Sequence, residues 1–198
     1  MKIHLKNVRL SFPHLFMPKP IKNSEPKYSA NFLLNKINDA AQIDTLRSAC
    51  RAVATEKWPV KLPKGLMFCV HEGSEKDYDG YGPMVLFLNS TSTVRPSVVD
   101  RNLSPLTADD GKPYAGCFCH CAVRLWAQDN EYGKRINAQL LGVQFFRDGE
   151  NFGEKPFNAT EEFSDISGAE GGFVPTPAGG ASDGDGGPDN PNLPDIPF

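Results

Sequence analysis

Three cysteines at a two-residue spacing, Cys117, Cys119 and Cys121, with His120 among them, are the residues of this chain whose types first suggest chemistry. Thiolates and imidazole ligate zinc, but close ligands need a turn between them. A Cys-x-Cys-x-Cys run in extended backbone instead spreads its sulfurs over about 13 Å of one face, with His120 on the other. The expected role is dense core packing, and no metal or other cofactor is expected. A second group, Glu72, Asp77 and Asp79 beside His71, lies in a glycine-rich stretch. Three carboxylates can hold magnesium for a nuclease, and that alternative stays open, although acids in such stretches are commonly solvated. The phosphate loop ending in Lys-Ser or Lys-Thr, His-Glu-x-x-His and Gly-x-Gly-x-x-Gly are all missing. No catalytic residue is assigned, and the chain reads as a binding protein rather than an enzyme.

Binding has more candidates. Cations recur beside aromatic rings: Arg9, Lys27 and Tyr28 near the start; Lys57, Trp58 and Lys61 (with Lys64) further on; Lys76, Tyr78 and Tyr81; Arg95 and Arg101; then Arg124, Trp126, Tyr132, Lys134 and Arg135. Single-stranded nucleic acid is held by this combination, cations following the phosphates and rings stacking on bases, each base being worth about 1–3 kcal/mol. Net charge alone hides the pattern. All 21 Lys and Arg lie in residues 1–157 with 16 acidic residues, about +5, whereas 158–198 holds eight acidic residues and no cation, which gives the overall −3. A mildly basic body thus carries an acidic appendage able to occupy its basic surface until a stronger polyanion displaces it.

The elements that must position these residues are mostly strands. His4 to Phe12 alternates, with Leu10 and Phe12 on one face and Arg9 and Ser11 on the other, and Pro13 is expected to end it. Residues 28–34 read as a second strand. Asn38 or Asp39 can cap a helix running to about Trp58, with Ile43, Leu46, Cys50 and Val53 at spacings of three and four and Pro59 as its stop. Leu66 to Val70 is a short apolar segment. Met84 to Asn89 is a buried strand, and Ser90 to Pro96 a continuation with a hydroxyl-bearing face. The longest β-like run, Tyr114 to Trp126, turns at Asp129 to Gly133 and returns over 136–147. Gly116 and Gly142 inside long strands imply a strongly bent sheet. The expected fold is therefore mainly β, a five-stranded oligonucleotide-binding barrel with additional strands and one helix, with a β-sandwich as the other possibility.

Residues 1–160 are read as one domain and 161–198 as an acidic Gly/Pro-rich tail with too little apolar content to offset its ordering entropy. Its tip, Leu193, Asp195, Ile196, Pro197 and Phe198, reads as a short linear motif whose apolar side chains and carboxylates dock on a partner protein. The N-terminus lacks an apolar run of signal-peptide length, nowhere do 18 apolar residues follow one another, and five cysteines are an odd number. A soluble intracellular protein with reduced thiols and no membrane partner is expected.

Leu5 to Phe16 (Leu-Lys-Asn-Val-Arg-Leu-Ser-Phe-Pro-His-Leu-Phe), Tyr28-Ser29-Ala30, Arg95-Pro96, Tyr114-Ala115-Gly116-Cys117 and Asn137 to Phe145, in that order, resemble a family of tailed-phage and prophage single-stranded DNA-binding proteins. The resemblance spans most of residues 1–160. It implies an oligonucleotide-binding barrel without enzymatic activity, acting in phage DNA replication or recombination in the cytoplasm of a bacterial host. Apart from the resemblance, a homo-oligomer (dimer) is kept open as an assembly. The tail is similar to those of bacterial single-strand binding proteins, which recruit replication and repair enzymes through an Asp-Phe-Pro-Phe-like tip; here Ile196 replaces the first aromatic. A structural or adaptor protein of the virion is the remaining alternative.

Overall fold

Alternation of apolar residues in five long or medium strands sets the architecture. The computed structural model describes residues 1–20 and 24–153. In chain order these form β1 (Lys2–Lys19), β2 (Lys27–Asn35), α1 (Ala40–Lys57), β3 (Met67–Phe68), β4 (Val70–Glu72), β5 (Val85–Ser92), β6 (Ser97–Val99), β7 (Phe118–Asn130) and β8 (Gly133–Arg147). Strands β8, β7, β1, β2 and β5 pair antiparallel in that order. A parallel contact of Thr91 with Gln139 joins β5 back to β8 and closes a five-stranded barrel. The sandwich alternative is thereby excluded. β4 extends β5, while β3 and β6 lie parallel to β8.

The interior is filled by Ile3, Leu5, Val8, Leu10, Phe32, Leu34, Leu86, Leu88, Val123, Leu125, Ile136 and Leu140, all buried. Fully burying a side chain of this size contributes about 1.5–3 kcal/mol. Helix α1 lies between β2 and β3 in the chain and buries Ile43, Leu46, Ala49, Cys50, Val53 and Ala54. All five cysteines are free and buried, Cys119 and Cys121 inside β7. Burial pushes the Cys117 thiol up to about 11 and raises those of Cys119 and Cys121 as well. Among the described residues no helix is long and apolar enough to cross a membrane.

Several local expectations are corrected. β1 does not end at Pro13 but runs on to Lys19. A break in register between Ser11 and His14 accommodates the proline, whose missing N–H is not needed where the ladder is interrupted. The same bulge takes Phe12 away from Leu10: Leu10 is buried, whereas Phe12 is 44% exposed at φ 47°. Asp39 precedes α1, but its carboxylate makes no cap; Oδ2 accepts the Asn35 N–H at 2.8 Å. The hydroxyl face of β5 points partly inward, with Ser90 and Ser92 buried and Ser90 Oγ donating to the Ala30 carbonyl at 2.9 Å. β7 starts at Phe118 rather than Tyr114 because Gly116 sits at φ 100° in the preceding turn, where a Cβ would lie 1.9 Å from the Glu150 carbonyl oxygen. Gly142 is within β8, and its missing side chain lets β6 approach.

Candidate nucleic-acid interface

Two strands of a hairpin turn their polar residues outward together. In β7, Leu125 points into the barrel, so Arg124, Trp126 and Gln128 point out. In β8, Ile136 and Ala138 point in, so Arg135, Asn137 and Gln139 point out. The register sets these opposite one another as Arg124 with Gln139, Trp126 with Asn137 and Gln128 with Arg135. Across the closing seam, β5 contributes Asn89 and Thr91, β2 contributes Lys27 and β4 contributes His71.

The result is a cleft made of two adjoining cavities, about 400 and 310 Å³, that share Lys27, Thr91 and Trp126. Among the described residues three cations, Lys27, Arg124 and Arg135, line it together with hydroxyl and amide groups, and no Asp or Glu does. Among the described residues none of the three cations forms an ion pair. Trp126 is 44% exposed, a large ring left half in water beside these charges. Asn137 Nδ2 donates to Gln128 Oε1 at 2.9 Å, which fixes the amides flanking the indole. Such a surface offers phosphates uncompensated charge and a base a flat apolar face.

The other sequence candidates fall elsewhere. Trp58, at the end of α1, donates its indole N–H to Asp129 Oδ2 at 3.1 Å and so braces the β7–β8 hairpin from the helix side. Lys57 and Lys61 are exposed beyond it, Lys134 lies 3.9 Å from Asp129, and Tyr132 is 72% exposed at the hairpin turn. Tyr28 is half-buried opposite Ser92. Arg9 is committed to the fold: Nε donates to the Gly116 carbonyl at 3.2 Å and Nη2 to that of Glu150 at 2.8 Å, with its guanidinium 4.3 Å from the Phe152 ring centre. Burial lowers its pKa. Arg95 lies over Phe16 and Arg101 over Phe146. Tyr78 and Tyr81 belong to an aromatic group over β1, β2 and β5, and Lys76 is exposed nearby. The acids of the nuclease alternative do not converge: Glu72 pairs with Lys36, Asp79 accepts the Gly153 N–H and Asp77 is exposed. Among the described residues no three His, Cys, Asp or Glu side chains come together as a metal site.

His71, Asn89, Thr91, Gln128, Asn137 and Gln139 are cleft residues that the cation-and-ring search passes over. Alternation from Trp126 would have found Gln128, and hairpin register Asn137 and Gln139; His71 has no sequence signal.

Residues 1–174 match the family described as Enterobacter phage Enc34, ssDNA-binding protein. The chain belongs to the Enc34 ssDNA-binding protein family. Its resemblance to phage single-stranded DNA-binding proteins is thus confirmed, and the Enc34 family and its solved members are described as DNA-binding proteins, not as enzymes. A protein designated p50 from Acyrthosiphon pisum secondary endosymbiont phage 1 is 42% identical over 180 residues, 86% of this chain and 96% of that protein. The single-stranded DNA-binding protein of bacteriophage Enc34, solved in complex with ssDNA, superposes with a TM-score of 0.68 at 29% identity, over 77% of this chain and 89% of that one. Gp2.5, the single-stranded DNA-binding protein encoded by bacteriophage T7, reaches 0.50 at 13% identity over 83% of this chain and 97% of its own, a likeness of fold alone. The tail expected over 161–198, including Leu193 to Phe198, lies outside the described residues.

Proposed function

We propose that this protein binds single-stranded DNA through the Trp126 cleft, without sequence preference, and shields it during phage DNA replication or recombination. The observation that carries this reading is a cleft lined, among the described residues, by three cations and a half-exposed tryptophan and by no carboxylate, in a member of a family whose Enc34 protein has been solved with ssDNA. Lys27, Arg124 and Arg135 hold phosphates, Trp126 stacks on a base, and the amides of Gln128, Asn137 and Gln139 tolerate any base edge. Tyr28, Tyr132, Lys134, Lys57 and Lys61 are rim contacts in this scheme, and Arg95, Arg101 and Lys76 act only on strands long enough to leave the cleft.

The acidic segment 158–198 is assigned two roles. Its eight carboxylates compete with DNA for the cations, and its apolar tip recruits a replication or repair protein. The decisive experiment is titration of labelled oligo-dT into the full chain and into a chain ending at Phe157. Both should bind, the shorter one more tightly at low salt, and only the full chain should retain replication or repair proteins on immobilised oligo-dT. Failure of polythymidine to bind either form in dilute buffer refutes the reading.

A further inference from the structure

Phe12 occupies a position that neither packing nor backbone preference favours. The bulge in β1 withdraws its ring from the core, leaves it 44% exposed and holds its backbone at φ 47°, a left-handed conformation that is unfavourable for a non-glycine residue. A bulge that re-aims a side chain at such a cost is a feature of binding surfaces. Tyr78, 56% exposed, stands edge-to-face against this ring with centroids 5.0 Å apart. Between them and Phe152 opens a cavity of about 350 Å³, walled also by Pro13 and His14. Gly80 permits this wall, since a Cβ there would lie 2.2 Å from the Phe152 ring.

The chemistry of the cavity is selective. Among the described residues no Lys or Arg lines it; Asp79, the one carboxylate among them, accepts the Gly153 N–H, and Ser11 Oγ accepts from the Tyr81 hydroxyl. Burial, and then nearby Lys19, lowers the His14 pKa and favours the neutral imidazole. The nearest cations, Lys19 beside His14 and Arg9 over the Phe152 ring, stand outside its wall, whereas a flat heteroaromatic ring finds three rings along it. The cavity is also tied to the cleft through one face of the barrel. Tyr78 contacts Tyr81, Tyr81 contacts Phe87 at 5.2 Å, and Phe87 stacks with His71 at 5.1 Å, the same His71 that lines the Trp126 cleft.

We propose that Phe12, Tyr78 and Phe152 form a second nucleobase site, which takes an unstacked base of the strand whose other nucleotides occupy the Trp126 cleft. The site rests on the single-stranded DNA reading and extends it: phosphates are gripped at one end of the face, and a base alone is gripped at the other.

The test compares the full wild-type chain with the double variant Phe12→Ala/Tyr78→Ala and with Trp126→Ala. Each is titrated with oligo-dT of about 5 and about 20 nucleotides, lengths chosen to fall at the low end and beyond the range of single-barrel sites. The double variant should bind the short strand as the wild type does. It should bind the long strand at least about fivefold more weakly with an unchanged salt dependence. Strands carrying 5-iodouracil should photocrosslink to Tyr78 in the wild type. Phe12→Gly, which relaxes the backbone, should melt higher than the wild type yet share the long-strand defect. Unchanged long-strand affinity in the double variant, together with loss at Trp126→Ala, overturns the second site and leaves the cleft standing. A wild type that binds neither strand overturns both. Loss of a bound protein but not of DNA in the double variant would assign the rings to a protein partner and equally defeat the proposal.

Discussion

Arg135→Ala separates electrostatic binding in the cleft from the general basicity of the body. Salt enters because each phosphate neutralised on a single strand releases condensed counterions, with a slope of about −0.7 in log affinity against log salt. The three cations lining the cleft have no ion-pair partners among the described residues, so each is available to a phosphate. Engagement of these three alone, on a strand too short to reach the rim lysines, predicts a slope of about −2.1, or a loss of about 130-fold from 50 to 500 mM salt. Arg135→Ala leaves two cations and a slope of about −1.4, or a loss of about 25-fold over the same range. The fold should not change, since Arg135 is exposed and its removal strands no carboxylate. Fluorescence anisotropy of labelled oligo-dT at five or more salt concentrations measures the slope. Arg9→Ala is the control: its guanidinium holds the carbonyls of Gly116 and Glu150, so it should lower the melting temperature and leave the slope alone. A wild-type slope near zero, or an Arg135→Ala slope equal to the wild type in a folded variant, refutes the assignment.

Trp126→Ala should weaken oligo-dT binding by about 1–3 kcal/mol while Trp58→Ala, which loses the bond to Asp129, mainly destabilises the hairpin; anisotropy and thermal melting distinguish the two. Gly116→Ala should abolish or severely destabilise folding, because its Cβ meets the Glu150 carbonyl at 1.9 Å at a φ of 100°, and urea denaturation measures the loss. The lowered His14 pKa makes folding stability present above the ordinary histidine value and lost as pH falls through it toward the folded value; urea midpoints between pH 7.5 and 5.5 should fall less steeply in His14→Gln.

Much of the barrel is legible because period-two alternation survives in β2, β7 and β8, where partners lie on both sides and register cannot slip without exposing the core. Helix α1 is legible from Ile43, Leu46, Cys50 and Val53. What alternation cannot carry is an interruption: one extra residue at the β1 bulge reverses the phase of Phe12, and no residue type announces it. The tryptophans show the same limit for the site. Both sit beside lysines or arginines, yet Trp126 faces the cleft because its neighbour Leu125 faces inward, while Trp58 follows a helix end whose direction depends on tertiary packing. His71 joins the cleft only because β4 pairs with β5, a contact between residues too few to read as a strand.

The ring of strands closes through a single parallel contact, Thr91 with Gln139, and both of those residues line the cleft. Ligand therefore rests on the thinnest direct joint between neighbouring staves of the cask, spanned on its outside by β3 and β4, which pair with β8 and β5 in turn. A polymer bridging Lys27 and Arg124 across that joint acts as a hoop, so amide hydrogen exchange in β5 and β8 beside it should slow on loading far more than in the doubly flanked β1.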